Sequence, residues 1–201
     1  MKKILANITI VSFSLLTMVG AIYAVFEETV TVAGASFSVI ADSDAGIGGT
    51  NTDLKILVDT ALSSEGSNLD DQVAGPVFDS VSTSWTEDYP LKLYNNGDKV
   101  LDIVSKASYV SDVDVLRDDI YVEVFAWDDS NANGLVDDGE IGESFGRDTI
   151  LRWRNDTFPL GQLNPGETVG YLLRFDGSGI TDTNIGMQAI YDFLFIGVES
   201  I

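Results

Sequence analysis

This 201-residue chain contains no cysteine and no histidine, only 4 prolines, and just 11 lysines and arginines against 32 aspartates and glutamates. Without cysteine there are no disulfides, so burial or a bound metal must hold the fold together. Without histidine there is no Ser-His-Asp or Cys-His nucleophile, no histidine-ligated zinc and no H-E-x-x-H peptidase helix. The shortage of basic residues, with a formal net charge of −21, sets the surface against phosphate backbones and excludes nucleic acid as a partner. The same surface attracts divalent cations and favours solubility, and most of its acids need no role beyond solvation. An apolar share of 45% is that of a globular chain, and the length suits one domain with a full core.

Some of the scarce positive charge stands at the very start, at Lys2 and Lys3. From Ile4 through Phe26 no residue is charged, and Glu27-Glu28 closes the run. A basic start, an apolar stretch and small residues at Gly20-Ala21 and Ala24 read as a secretory signal peptide over residues 1–24, a hydrophobic helix that signal peptidase removes after Ala24. Uncleaved, the run is long enough to span a bilayer and would anchor the chain. Cleaved, the chain keeps no membrane segment and is secreted, with nine bases against 32 acids, a charge of −23.

Beyond the export segment, strand signals dominate. Val25 to Ile40 is rich in Val, Thr, Phe and Ile, with a break at Ala33-Gly34, and forms an N-terminal β segment. Residues 41–201 are expected to form the β-sandwich domain. Ala41 to Asn51 reads as a loop and Leu54 to Val58 as a buried strand, while Ser63 to Gly75 is Ser/Gly/Asp-rich and is expected to be a mobile loop. Strand character follows at Val77 to Ser84, Tyr89 to Tyr94, Val100 to Val110, Ile120 to Trp127, Thr149 to Trp153, Phe158 to Leu163, Thr168 to Phe175 and Met187 to Val198, the last as a central strand. Turns are marked by Asn95-Asn96-Gly97-Asp98 and Asn164-Pro165-Gly166-Glu167, and Val113 to Asp119 alone hints at a helical turn. The fold class is all-β, a jelly-roll-like β-sandwich of short antiparallel strands.

One segment carries a specific chemical pattern. Residues 129–140 place oxygen side chains at loop positions 1, 3 and 5 (Asp129, Asn131, Asn133), glycine at 6 (Gly134), a backbone carbonyl at 7 (Leu135), an apolar residue at 8 (Val136), and acids at 9 and 12 (Asp137, Glu140). A hard cation takes six to eight oxygens at about 2.4 Å, and alternate residues of a tight loop deliver them to one point. The pattern predicts a structural Ca2+ ion. Ile120 to Trp127 reads as a strand, and Gly139 and Gly142 discourage an exiting helix, so a helix–loop–helix sensor is not expected. Two neutral asparagines weaken the site relative to an all-aspartate loop.

Other candidates are weaker. Asp112, Asp114, Asp118 and Asp119 form an acidic cluster better explained as a solvated face. Asn155-Asp156-Thr157 matches the glycosylation sequon. No two carboxylates stand out as a glycosidase pair, and Trp85, Trp127 and Trp153 suit core packing better than a sugar groove.

Two ends of the chain resemble the TasA/camelysin family of exported biofilm-matrix fibre proteins. The stretch Gly20-Ala21-Ile22-Tyr23-Ala24-Val25-Phe26, then Ala35-Ser36-Phe37-Ser38, resembles that family's signal-peptide end and early mature segment. Asp182-Thr183-Asn184-Ile185-Gly186-Met187-Gln188, leading into Tyr191-Asp192-Phe193-Leu194-Phe195, resembles its closing strand. Leu163-Asn164-Pro165-Gly166-Glu167 and Leu93-Tyr94-Asn95-Asn96-Gly97 are similar to its turns. The chain departs from the family in its calcium loop and in the reduced Thr52-Asp53-Leu54. The resemblance implies cleavage by a SipW-like signal peptidase and a jelly roll whose N-terminal segment, within 25–40, completes the sheet of the next subunit. The expected function is a secreted structural subunit of extracellular fibres or matrix, self-associating, joined to other matrix or cell-surface proteins, and not an enzyme. A monomeric surface-attached calcium-binding adhesion module is one alternative. A camelysin-like peptidase is another, though without histidine the usual ligands for catalytic zinc are missing.

Overall fold

A computed structural model describes residues 36–41, 52–78, 81–111, 115–184, 187 and 189–200. The export segment 1–24 with its helix, the segment 25–35, and Gln188 of the closing motif lie outside the described residues. The early strands are β1 (Ser36–Ala41), β2 (Leu54–Leu57), β3 (Leu69–Asp70), β4 (Gln72–Ala74) and β5 (Val77–Phe78). The long strands β6 (Thr86–Asn95), β7 (Leu101–Ser111) and β8 (Tyr121–Trp127) follow. After them come β9 (Ile141–Thr149), helix α1 (Ile150–Asn155), β10 (Phe158–Leu163), β11 (Thr168–Asp176) and β12 (Ala189–Glu199).

The strands form two six-stranded sheets, an all-β sandwich. One runs β10-β7-β12-β1-β4, with β5 also on β12; the other runs β3-β2-β6-β11-β8-β9. Period-two burial explains the layering. β7 turns Leu101, Ile103 and Ala107 inward, and β12 turns Tyr191, Phe193 and Phe195 inward, opposite Val122, Val124, Tyr171, Leu173 and Phe175 of the second sheet. Aromatic rings stitch the two layers: Phe175 meets Phe193 edge-on at 5.2 Å, and Phe78 meets Phe175 at 5.1 Å.

Several expectations need correction. The strands are not all short or antiparallel: β7 and β12 each have 11 residues, and β1 runs parallel to β12 from Phe37↔Phe193 to Ala41↔Gly197. Residues 36–40 of the N-terminal segment 25–40 therefore pair within their own sheet, and a donor role can fall only on 25–35, outside the described residues. Ser63 to Gly75 is not plain loop; it holds a 3-10 turn (Gly66–Asn68), β3 and β4, organised by buried Asn68, whose Nδ2 donates to the Asp59 and Ser63 carbonyls. Of the strand expected from Val77 to Ser84, Val77–Phe78 is formed and the described residues 81–84 are not strand. The strand expected at Thr149 to Trp153 is helix α1, with Thr149 as its N-cap and Ile150 and Trp153 buried one turn apart. The residues expected to exit the calcium loop form β9 instead, a strand not anticipated. Trp127 and Trp153 are core residues, while Trp85 packs on the core half-buried.

Candidate metal centre

The 128–140 loop joins β8 to β9. Trp127 pairs with Ile141, and the Asp128 N–H donates to the Glu140 carbonyl at 3.0 Å, so the loop's two ends are clamped together. Inside the clamp the chain winds tightly, with Ala132 and Gly134 at positive φ (56° and 73°). Gly134 has no room for a side chain, because a Cβ there would lie 2.6 Å from the Ala61 nitrogen.

The pattern residues fold toward one another through backbone donors. Asp129 Oδ1 accepts from Asn133 N (3.0 Å), and its Oδ2 from Gly134 N (2.9 Å). Asn131 Oδ1 accepts from Asn133 N, and Asn133 Oδ1 from Leu135 N. The Asn131 and Asn133 amide groups both donate to Asp137 Oδ2 at 2.8 Å. Buried Glu140 receives Ser130 N on Oε1 and Asp137 N on Oε2. The donor chemistry, carboxylate and amide oxygens, suits a hard cation. The side-chain amide N–H groups of Asn131 and Asn133, however, face Asp137, where a cation would stand. Among the described residues no group of three or more His, Cys, Asp or Glu is placed to hold a metal ion, and Asp129, Asp137 and Glu140 do not form one.

Sequence reasoning missed one participant. Lys92 on β6 reaches Asp129 Oδ2 with its Nζ at 2.7 Å, donates to the Thr60 carbonyl at 2.8 Å, and lies 5.2 Å from the centre of the Trp127 ring. The sheet register explains the reach. Lys92, Gly170 and Trp127 are neighbours across β6, β11 and β8, and Gly170 carries no side chain, so the lysine crosses over it. Burial alone would push the Asp129 carboxyl up, but the Lys92 ammonium and the Gly134 and Asn133 amides outweigh it and hold it below the ordinary carboxylate value. Nothing near residue 129 in the chain signals this, since the partner is 37 positions away.

Thr60 ties the loop to a second feature. Its Oγ1 donates to the Gly134 carbonyl at 3.0 Å, and the residue also lines an open cleft of about 660 Å³ between the edges of the two sheets. Phe37, Leu57, Val73, Tyr89 and Leu91 supply the apolar lining of that cleft, with Asp59 and Asp70 beside them.

Comparison with known proteins adds little. No family model and no curated protein matches the chain. Among solved structures it is similar to the ASH/PapD-like domain of human CEP192 (PapD-like domain 7), at 12% identity over 63% of this chain and 84% of that one, with a TM-score of 0.21. Nothing functional follows from so slight a likeness.

The remaining candidates fall elsewhere. Asp112 and Asp114 lie outside the described residues; Asp119 accepts from Asn184 Nδ2 at 3.1 Å, and its carboxyl is pushed up by burial and by Asp118. Asn155 is exposed at the end of α1, with Thr157 exposed beyond it. Among the described residues no helix is long and apolar enough to cross a membrane.

Proposed function

We propose that this chain is an exported structural subunit that joins copies of itself into fibres or a surface matrix, with calcium stiffening the β8–β9 loop. The reading takes the two-sheet fold as jelly-roll-like and residues 1–24 as the signal that exports it. The observation that supports it most is the open cleft between the sheet edges, where Phe37, Val73 and Tyr89 stand beside Asp59 and Asp70. On that flank β4 pairs with Ser36, Phe37 and Ser38 of β1, and the Val39 N–H donates to the Asp71 carbonyl, so among the described residues the outer strand of this sheet is short. An extended segment laid along it gains backbone hydrogen bonds and buries alternate side chains.

Residues 25–35 have the composition of such a segment and lead directly into β1, the strand that presents Phe37 to the cleft. Donated to a neighbouring copy, the segment makes a head-to-tail contact that need not close, and such contacts build filaments. In the loop, Asp129, Asn131, Asn133, Asp137 and Glu140 would hold calcium by side-chain oxygens and Leu135 by its carbonyl. The ion supplies the positive charge that cross-links these oxygens, and extracellular calcium is abundant enough to fill a weak site.

Deletion of Val25 to Ala33 tests the assembly. Negative-stain microscopy of the secreted protein is expected to show fibres for the intact chain and none for the deletion. A deletion variant that polymerises normally rules out strand donation.

A further inference from the structure

The ion pair between Lys92 and Asp129 stands apart from the other ion pairs of the described residues. Its Asp129 side chain is 1% exposed and its Lys92 side chain 15%, whereas Arg147–Asp176, Arg174–Asp88 and both Lys55 pairs lie more open to water. The ammonium is also held at more than one point. The Thr60 carbonyl accepts from it and the Trp127 ring lies beneath it, while Gly170, its neighbour across the register, has no room for a side chain against Trp127. Its position is therefore set by the sheet and the 59–62 turn as well as by the carboxylate it meets.

We propose that Lys92 is a resident cation of the 129–140 loop, a built-in competitor that lowers the loop's calcium affinity and preserves the loop's fold when calcium is absent. The proposal rests on the calcium reading above and adds what regulates that site. The first half follows from charge. Lys92 already stands against Asp129, so a divalent ion drawn to the same carboxylate meets a resident positive charge, and like charges a few ångströms apart weaken binding by about tenfold or more. Lys92 also holds Asp129 Oδ2 at 2.7 Å, so part of the carboxylate's charge is already neutralised. The second half follows from the carboxylate. With Lys92 neutralised, Asp129 would keep the Asn133 and Gly134 amides as partners in a partly buried site. A buried charge so poorly compensated loosens the loop until another cation arrives.

Calcium titration calorimetry and thermal melts in EDTA and in calcium, on the full-length chain, test this with Lys92→Met, Lys92→Gln and Lys92→Arg. The two neutral variants are expected to bind calcium at least tenfold more tightly than the parent, to melt lower in EDTA, and to regain stability in calcium. Lys92→Arg, which keeps the charge, is expected to bind as the parent does. Should the methionine variant fail to fold, the glutamine variant, which can still donate to Thr60, carries the comparison. Equal calcium affinity in parent and neutral variants overturns the proposal and leaves the calcium site standing. Absence of calcium binding in every variant removes the site and the proposal together.

Discussion

Asn95 shows how much one side chain can carry in a protein without disulfides. It is fully buried at the end of β6, and its Nδ2 donates to the Lys99 carbonyl at 2.6 Å and the Leu163 carbonyl at 3.0 Å. Its Oδ1 accepts the Gly97 N–H at 3.0 Å. One amide thus shapes the turn into β7 and ties the second sheet to the end of β10 in the first. Asn95→Ala would leave the Leu163 carbonyl and the Gly97 N–H without these partners, a loss of about 1–3 kcal/mol for each buried group left unsatisfied. Urea unfolding is expected to show a midpoint lowered accordingly, with little change in slope. In sequence Asn95 reads only as a turn residue. Its bond to Leu163 spans 68 positions, so no local signal could announce it.

At the scale of elements, the strands were legible wherever apolar residues alternate. β7, β8, β10, β11 and β12 lie close to where the pattern places them, because an inward face repeats every second residue. Helix α1 was misread because Thr149 and Ile150 look like strand, while the evidence for helix is one buried pair, Ile150 and Trp153, at a spacing of three. The helix exists to seat Trp153, which stacks on Phe158 at 4.0 Å between ring centres and 8° between planes. Trp153→Ala is expected to cost about 3–5 kcal/mol by opening a cavity under α1. A loss of near-UV circular dichroism from this stack, with sheet content kept, would accompany a lower melting temperature. A melting temperature equal to the parent's would show that the stack contributes nothing. The parallel pairing of β1 with β12 was equally hidden, since composition marks a strand but not its partner.

For the whole molecule the decisive quantity is the acidic excess, −21 over the full chain. Such a surface repels itself, and the fold tolerates it partly because some carboxylates gain more from folding than from water. Burial works against Asp176, but Ser178 and the Arg147 guanidinium, whose Nη2 lies 2.9 Å away, hold its carboxyl below the ordinary value of 3.8. Asp129 is lowered in the same sense. A carboxyl whose folded value is depressed adds stability above its unfolded value, and that stability is lost as pH falls through the folded one. Thermal melts are therefore expected to hold steady from neutrality down to about pH 4 and then fall steeply. Asp176→Asn should melt lower at neutral pH and lose less below pH 4. A parallel fall in both proteins would refute the assignment.

By itself the sequence determined the all-β class, the exclusion of thiol and histidine chemistry, the acidic surface and the oxygen-rich pattern of residues 129–140. All of these depend on residue identity or on neighbours a few positions apart. Only the tertiary structure decided that Lys92 stands against Asp129, that Thr60 joins the loop to the cleft, and that β1 lies parallel to β12. Those facts arise from sheet register, which brings together residues tens of positions apart, and register is selected by the packing of two whole sheets against each other.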